Sequence, residues 1–297
     1  MRAELAESTG RAYPLRLICR ALGVAASSLY ASRQPRKPRE QWAKPGPKTR
    51  LGDQALTEAI RRVIRESPFH GEGHRKVWAR LRLESMGVGR NRVLRLMREN
   101  RLLAPTRRVH AHGDKAHAGR IVEDTPNCTW GTDATRFWSE EEGWCWFFGA
   151  LDHCCDDVVG WEVVKRGDRF AALEPIRQGL REHFGGVSRE AARGLVVRCD
   201  HGPQYTSDDF WGELTFCGIE VSYAYVGEPE CNGIMERFLR TLKEQVLWVH
   251  RFRNLAQARQ VIGEFIARYN EHWLIQRLDY RSPAQVRESF LALQEAA

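Results

Sequence analysis

The sequence predicts an α/β protein: a mixed β-sheet flanked by helices and preceded by all-α, helix-turn-helix modules. Up to about residue 120, apolar residues recur every three or four positions, as they do along one face of a helix. Beyond that point, short runs rich in Trp, Thr, Phe and Val alternate with helical stretches, which is typical of a sheet flanked by helices.

The charge distribution divides the chain at the same place. The first 120 residues carry 27 Lys and Arg against 10 Asp and Glu, and the remaining residues carry 19 against 28. A basic helical half joined to an acidic half fits a region that binds a polyanion, attached to a site built from carboxylates. Charge alone does not decide this, because basic helices that merely face solvent would give the same imbalance.

The composition excludes several classes of protein. With 297 residues, of which 42% are hydrophobic and 28% charged, the chain has the composition of a folded protein. Its longest unbroken apolar run, residues 144–151, is too short to cross a bilayer. None of the eight cysteines forms a C-x-x-C pair, which predicts reduced thiols in a cytoplasmic protein and makes a zinc module improbable.

Two helical modules and two basic linkers are predicted in the first half. Residues 1–32 form an N-terminal helix-turn-helix, with Gly23 at the turn between two short helices. Residues 33–52 form a linker, because four prolines forbid a continuous helix there: Pro35, Pro38, Pro45 and Pro47. A second helical DNA-binding domain follows over residues 53–104, and a further basic linker over residues 105–124.

The last helix of the second module, near residues 90–100, is the best candidate for entering a DNA groove. Between its apolar positions stand four arginines that only Glu99 balances: Arg90, Arg92, Arg95 and Arg98. We therefore predict that these arginines contact DNA. An ordinary charged helix face turned to solvent is the alternative.

The second half is predicted to contain the sheet, in a core of residues 125–250 on which the C-terminal helices of residues 251–297 pack. The pattern predicts strands at 128–137, 144–151, 158–164, 195–199 and 219–222, and helices at 170–184, 209–217 and 233–249. Asn254 is placed to cap a further helix. The run at 195–199 is almost wholly apolar, which favours a central strand buried on both faces.

Three acidic residues occupy settings in which an acid is costly. Asp133 lies inside the first strand, Asp200 follows the apolar strand, and Glu236 lies on the helix after a loop rich in Gly and Pro. Acids beside buried strands need an ionic partner or a metal ion. Neighbouring strands would bring Asp133 and Asp200 together, and the helix would carry Glu236 to them.

Carboxylates without His or Cys favour Mg²⁺, with Mn²⁺ as a substitute, over Zn²⁺. Two such ions about 4 Å apart can activate the attacking oxygen and stabilise the leaving oxygen of a phosphodiester, so we predict phosphoryl transfer. Lys243 and Arg240 follow Glu236 along the helix, where a DNA backbone would cross. For Arg240 the alternative is a simple ion pair with Glu236, four residues away.

The spacing of these residues resembles that of a known family. In the sequence 35 residues separate Asp200 from Glu236, and Lys243 follows seven positions later, as in the D,D,35-E signature of retroviral integrases and insertion-sequence transposases. The surrounding motifs agree: WGTDAT at 130–135, LDHCCDDVVGWEV at 151–163, RCDHGPQYTS at 198–207, NGIMERFLRTLKEQ at 232–245 and YNEHWLIQRLDYRSPAQ at 269–285. Upstream, HGEGHRKVWARLR and NRVLRLMRENRLLAP resemble the helix-turn-helix of OrfB-type DDE transposases of the "insertion sequence three" family.

This resemblance implies a ribonuclease-H-like, integrase-like catalytic core that binds terminal inverted repeats, cleaves 3′ ends and transfers DNA strands. Asp133, Asp200 and Glu236 would be the catalytic triad and hold two Mg²⁺ ions, and Lys243 would contact DNA near the cleaved end. The resemblance also implies double-stranded DNA of the element ends and the target as partner. It further implies a homo-oligomer on DNA, a possible upstream OrfA-type protein partner, no membrane, and a bacterial, nucleoid-associated location.

Two other functions stay open at this stage. A catalytically silent, transposase-derived repressor would keep the DNA-binding modules and lose the chemistry. A ribonuclease-H-type nuclease would cleave RNA–DNA hybrids and join nothing, but it has no use for helices that enter the major groove.

Several residues near the three acids receive structural interpretations. Asp152, Asp156 and Asp157 are predicted to be turn residues, with Asp152 the nearest of them to the metals. Tyr205 and Ser207 are predicted to pack and cap the loop that follows the apolar strand, and not to act as nucleophiles.

Overall fold

The computed structural model describes residues 10, 12–33, 51–105, 123–223 and 232–295. The chain divides into two compact units, Met1–Arg50 and Leu51–Ala297. Most of both predicted linkers, and the predicted loop before residue 232, lie outside the described residues.

The first unit contains two short helices, α1 (Leu15–Ala21) and α2 (Ala26–Arg33). The turn between them contains Gly23, whose φ of 65° is a left-handed conformation that glycine adopts without strain. Both predicted helices of this module are therefore present.

The second unit begins with three helices: α3 (Asp53–Glu66), α4 (His74–Leu83) and α5 (Arg90–Glu99). They pack around a small apolar core formed by Leu56, Ile60, Val63, Val77, Leu81, Val88, Val93, Leu96 and Met97. Burying one such side chain stabilises a fold by about 1.5–3 kcal/mol. This core leaves the outer face of α5 available for contacts with a partner.

A five-stranded mixed sheet follows in the chain. Its strands are β1 (Thr129–Ser139), β2 (Gly143–Asp152), β3 (Val158–Val164), β4 (Val196–Cys199) and β5 (Glu220–Tyr223). They lie in the order β3-β2-β1-β4-β5; the first three are antiparallel, and β4 and β5 run parallel to β1. The predicted fold class, a mixed α/β sheet flanked by helices and preceded by helical modules, is confirmed.

Helices cover both faces of this sheet. They are α6 (Arg169–His183), α7 (Asp208–Phe216), α8 (Gly233–Leu242), α9 (Leu255–His272) and α10 (Pro283–Glu295). Successive side chains of a strand point to opposite faces, so Phe147 and Phe148 of β2 enter different cores. Phe148 packs with side chains of α6 and α7, and Phe147 with side chains of α8 and α9.

The helix predicted at 233–249 differs from expectation at its end. The α-helix stops at Leu242 and continues as a π-helical turn, Lys243–Leu247, in which Trp248 N–H donates to the backbone oxygen of Lys243 at 2.9 Å. Such π-helical turns are rare in proteins, and those that occur often lie at functional sites. Sequence periodicity over so few residues does not distinguish this turn from an α-helix.

The predicted caps are confirmed. Asn254 Oδ1 accepts the Gln257 N–H at 3.0 Å at the start of α9, and Ser207 Oγ accepts the Phe210 N–H at 3.3 Å at the start of α7. Tyr205 is fully buried against the α7 side of the sheet, as predicted. No helix in the described ranges combines the length and apolar character that a bilayer crossing needs.

Candidate active site

Asp133 and Asp200 belong to adjacent parallel strands. In the pairing of β1 with β4, Gly131 lies opposite Arg198. The same register, continued by two residues, sets Asp133 opposite Asp200, just beyond the end of β4. Residues in the same register of two parallel strands point to the same face of the sheet. The strand order and register therefore account for the predicted proximity of these two carboxylates.

Glu236 lies in the first turn of α8, which packs against this part of β1. Asn232 precedes the helix but does not cap it; its Nδ2 donates to the backbone oxygen of Thr132 at 3.2 Å. That hydrogen bond ties the start of α8 to the strand residue immediately before Asp133. Glu236 is thus carried to the face of the sheet that bears Asp133.

The contact between α8 and β1 depends on the missing side chain of Gly131. A Cβ atom there would lie 2.5 Å from Asn232 Oδ1 and 2.6 Å from His153 Nε2. Burial, with the positive charge of Arg198 nearby, lowers the pKa of His153 to about 4, so its ring is neutral at pH 7. Sequence reasoning missed Gly131 and His153; a glycine inside a strand is the signal that would have indicated a close approach.

Asp133 is an acid in a half-buried setting. Among the described residues it accepts one hydrogen bond, from the Ala134 N–H at 2.7 Å, and forms no salt bridge. Burial, and then the charges of Asp200 and Glu236, raise the pKa of Asp133 to about 6. The positive charge of Lys243 opposes that rise. The three carboxylates and Lys243 therefore act on one another as a single electrostatic cluster.

These carboxylates fit a divalent cation by their chemistry. Asp133 is half-buried without a salt bridge to a described residue, so a cation that compensates its charge would stabilise its ionised form, and hard oxygen donors suit Mg²⁺. Their oxygens do not all lie within 4.8 Å of one another; within the described ranges, the one group that does is Asp152, Cys154 and Cys155. One ion held by all three carboxylates would require that closeness, whereas two ions about 4 Å apart do not.

Asp152, Asp156 and Asp157 belong to the predicted turn, but that turn is buried against C-terminal arginines. Arg277 bonds Asp156 at 2.7 Å, and Arg287 bonds Asp157 at 2.5 Å and lies 3.4 Å from Asp152. These acids therefore attach the C-terminal segment to the sheet. Sequence spacing did not indicate these pairs, because the arginines lie more than 100 positions further along the chain.

The oxygens of Asp152 are engaged within the fold. Its Oδ1 accepts the Cys154 and Cys155 N–H groups at 2.8 and 3.0 Å, and its Oδ2 accepts the Asn127 N–H at 2.6 Å. Burial raises the pKa of Cys154 to about 11 and raises that of Cys155 further. Both oxygens of Asp152 thus accept backbone N–H groups, so this compact group anchors the turn.

Asp200 is exposed at the start of a braced loop. Its Oδ1 accepts the Gly202 N–H at 2.8 Å. The next residue, His201, stacks on the ring of Tyr223 with 4.8 Å between ring centres, and Trp211 Nε1 donates to the Tyr223 hydroxyl at 2.5 Å. These contacts hold the loop beside β5 and leave the Asp200 carboxylate open to solvent.

The four arginines predicted on α5 fall into two pairs. Arg92 and Arg95 both bond the carboxylate of Asp53 on α3, at 2.6 and 2.7 Å. Arg90 and Arg98 are exposed and have no ion pair within the described part of the chain. Arg90 and Arg98 are therefore the arginines of α5 that are available to an outside anion without breaking an internal bond.

On α8, the ion-pair partner of Arg240 is Glu244, at 3.0 Å, one turn beyond the Glu236 considered from the sequence. Both acids lie four residues from Arg240, so helix geometry allows either pair. The three-dimensional arrangement selects Glu244 because Glu236 belongs to the cluster around Asp133.

Two family models match the chain. Residues 217–283 match a model described as an integrase core domain, and residues 52–110 match one described as an HTH-like domain. The first match includes Glu236 and Lys243 and begins after Asp133 and Asp200. The second covers α3, α4 and α5.

Relatives and solved structures were also found. The chain is 28% identical over 231 residues to transposase InsD for insertion element IS2D of Escherichia coli strain K12, covering 76% of both chains. Its match to InsD for IS2-9 of the same strain has equal identity and covers 76% of this chain and 74% of the relative. A simian T-cell lymphotropic virus intasome complex aligns with 18% identity and a TM-score of 0.45, over 72% of this chain and 70% of the other. The HTLV-2 integrase catalytic core with magnesium aligns with 17% identity and a TM-score of 0.41, over 54% and 96%.

Proposed function

We propose that this protein is a DNA transposase that binds the terminal inverted repeats of an insertion sequence and catalyses Mg²⁺-dependent 3′-end cleavage and strand transfer. The observation that carries the proposal is the cluster of Asp133, Asp200 and Glu236, in which the latter two raise the pKa of Asp133, a half-buried acid that forms no salt bridge with a described residue. Strongly perturbed acids with specific charged neighbours are typical of functional sites.

In this proposal Asp133, Asp200 and Glu236 hold two Mg²⁺ ions, with Mn²⁺ as a substitute, because hard oxygen donors suit both cations. When bound, the ions supply the charge that activates an attacking oxygen and stabilises a leaving oxygen of a phosphodiester. Water would first attack the phosphodiester at the element end, breaking its bond to the 3′-oxygen and releasing a 3′-hydroxyl on the element. That hydroxyl would then attack a phosphodiester of the target, forming the new bond and releasing a 3′-hydroxyl on the target strand. The side chains of this protein need not form a covalent intermediate.

Lys243 contacts DNA beside the cleaved end. Its charge acts on Asp133, so a phosphate bound by Lys243 would lie next to the three carboxylates. Arg240 extends this contact along α8, where its bond to Glu244 is exposed and easily exchanged. Both cations follow Glu236 within two turns of helix, which suits a DNA backbone that crosses α8.

On the HTH-like domain, α5 reads DNA. Arg90 and Arg98 contact it directly, because neither is ion-paired with a carboxylate of the described residues. Arg92 and Arg95 reach DNA only by giving up part of their bond to Asp53. We therefore expect Arg90 and Arg98 to contribute more to DNA affinity than Arg92 and Arg95.

The relatives named as InsD transposases support assignment to the OrfB-type proteins of the "insertion sequence three" family. By the same argument, the partners are the element's terminal repeats and target DNA. A homo-oligomer assembled on DNA and an upstream OrfA-type protein complete the proposed assembly. Its proposed location is the bacterial cytoplasm, at the nucleoid and away from the membrane.

The test is an end-cleavage and strand-transfer assay of Asp200→Asn, Asp133→Asn and Glu236→Gln in Mg²⁺. We expect all three to lose both reactions by several orders of magnitude while binding element-end DNA as the wild type does. Gln260→Met, which alters an exposed amide on α9, is the matched control. Full activity of Asp200→Asn would overturn the mechanism, because an amide carries no charge to hold a cation.

A catalytically silent repressor is the second candidate. It is favoured by the observation that the three carboxylates do not gather within 4.8 Å of one another. It predicts specific DNA binding by the wild type with no product in Mg²⁺ or Mn²⁺ on any element end. Cleavage by the wild type alone would exclude it.

A further inference from the structure

A crevice of about 1,060 Å³ separates the HTH-like domain from the helix that carries Glu236. One wall is formed by residues 70–76, at the start of α4. The other is formed by α8, the π-helical turn and residues 269–277. Neither the family matches nor the sequence motifs assign it a role.

The two walls are held in place by packing and hydrogen bonds. Phe69 is only 4% exposed and meets the ring of Trp273 edge-on, with 4.8 Å between ring centres. The ammonium of Lys76 lies over the same Trp273 ring. Gln245, in the π-helical turn, bonds both the N–H and the carbonyl of His70. These contacts fix the two walls of the crevice relative to each other within the second unit.

The lining of the crevice has a surplus of positive charge. Its carboxylates are each salt-bridged to an arginine: Glu72, Asp156 and Glu244. Arg75 donates to the neutral amide of Gln276 at 2.8 Å, and Arg237 is exposed; neither forms an ion pair with a described residue. Arg75 and Arg237 thus lie on opposite walls, and neither is ion-paired with a described residue. The charge of Arg237 acts on Asp156, but Asp156 is already bound by Arg277.

Further positive charge lies near the crevice on the side of α5. Burial, and then the charges of Arg75, Arg90 and Arg98, lower the pKa of His74, a lining residue, so Arg90 and Arg98 lie near it. On the opposite wall, Arg237 belongs to α8, the helix that also carries Glu236. Cations therefore lie on both walls, between α5 and the helix of the candidate active site.

The geometry points to a binding site for the sugar–phosphate backbone of DNA, in which Arg75 and Arg237 each contact a phosphate between α5 and Glu236. This inference rests on the proposed function, because it takes DNA to be the substrate. The crevice would hold the DNA end in one path from the helix that reads it to the site that cuts it. Guanidinium groups suit phosphate because they bond two of its oxygens at once.

The experiment measures the affinity of the full-length protein for an element-end duplex between 50 and 200 mM salt. Each lost phosphate contact lowers the slope of log affinity against log salt by about 0.9. We expect Arg75→Gln and Arg237→Gln each to do so, and the double variant to lower it by about 1.8. The ratio of wild-type to single-variant affinity should then fall about threefold over this salt range.

Arg181→Gln is the control, since Arg181 is an exposed arginine on α6, across the sheet, bonded to Glu174. Unchanged slopes in both crevice variants, with normal binding by the wild type, would overturn the inference and leave the proposed function intact. If inorganic pyrophosphate displaced the labelled duplex as effectively as unlabelled duplex does, the inference would be overturned, and the crevice would be a site for a small phosphate ligand. Failure of the wild type to bind DNA at all would instead refute the proposed function.

Discussion

Gln245 and His70 join the HTH-like domain to the helix of the candidate active site. Gln245 Oε1 accepts the His70 N–H at 3.0 Å, and Gln245 Nε2 donates to the His70 carbonyl at 2.8 Å, across 175 positions of sequence. The amide side chain thus pairs with the backbone as a neighbouring strand would. Because Gln245 lies in the π-helical turn that continues α8, these two bonds link the HTH-like domain to the helix that carries Glu236.

Gln245→Met tests this joint, since it keeps the length of the side chain and removes both hydrogen bonds. We expect a loss of about 1 kcal/mol in the free energy of unfolding, as partly exposed hydrogen bonds contribute modestly. We also expect element ends to be bound normally but cleaved at more than one position. The measurements are denaturant unfolding and mapping of the cleaved ends. Gln260→Met should change neither, and a single cleavage position in Gln245→Met would contradict the joint's role.

Gly131→Ala tests the close approach of α8 to β1. The added methyl group would overlap Asn232 and His153, so we expect a loss of about 1–3 kcal/mol in stability. Gly212→Ala is a matched control, because nothing lies within 4 Å of the new methyl group on α7. There we expect a gain of about 0.5–1 kcal/mol from higher helix propensity. If thermal or denaturant unfolding gave the two variants the same change in stability, the close approach of α8 to β1 at Gly131 would not be tight.

Asp133 should make the stability of the metal-free protein depend on pH. Its pKa is about 6 in the fold and near 3.8 when unfolded, so the fold favours the protonated form. That stabilising contribution is complete below pH 3.8 and is lost as the pH rises through 6. In a chelator, Asp133→Asn should therefore match the wild type at pH 4 and exceed it by about 2–3 kcal/mol at pH 7.5.

Mg²⁺ should reverse that difference at pH 7.5, because the cation stabilises the wild-type carboxylate and not the amide. The measurement is unfolding in denaturant with and without Mg²⁺. A difference between wild type and Asp133→Asn that is constant from pH 4 to 7.5 would contradict the raised pKa of Asp133.

Arg287 neutralises the charge of buried carboxylates, so its removal should lower the free energy of unfolding. Arg287→Met leaves Asp157 and Asp152 buried without their cation, which destabilises proteins by about 3–5 kcal/mol. Burial already raises the pKa of Asp157 to about 6 despite Arg287, so the variant should lose less stability at pH 5 than at pH 8. Arg253→Met, at an arginine 78% exposed and paired with Glu141, should lose about 0–1 kcal/mol. Equal losses in the two variants would contradict this assignment.

Much of the fold was predictable because it depends on local patterns. The strand at 158–164 has the bounds expected from its apolar run, and Asn254 caps α9 as expected from its position before a helical pattern. The acids Asp133 and Asp200 were indicated by their apolar surroundings, and strand pairing brings them into register. Their roles as metal ligands stay a prediction.

The sequence by itself determined which segments become strands and helices, and which acids lie beside buried strands, since both follow from residues close together in the chain. Only the tertiary structure decided the partners: Arg240 with Glu244, Arg92 and Arg95 with Asp53, Gln245 with His70. Many arginines and acids of this chain are chemically equivalent as partners. Distance in space selects among them, and distance is set by how remote elements pack.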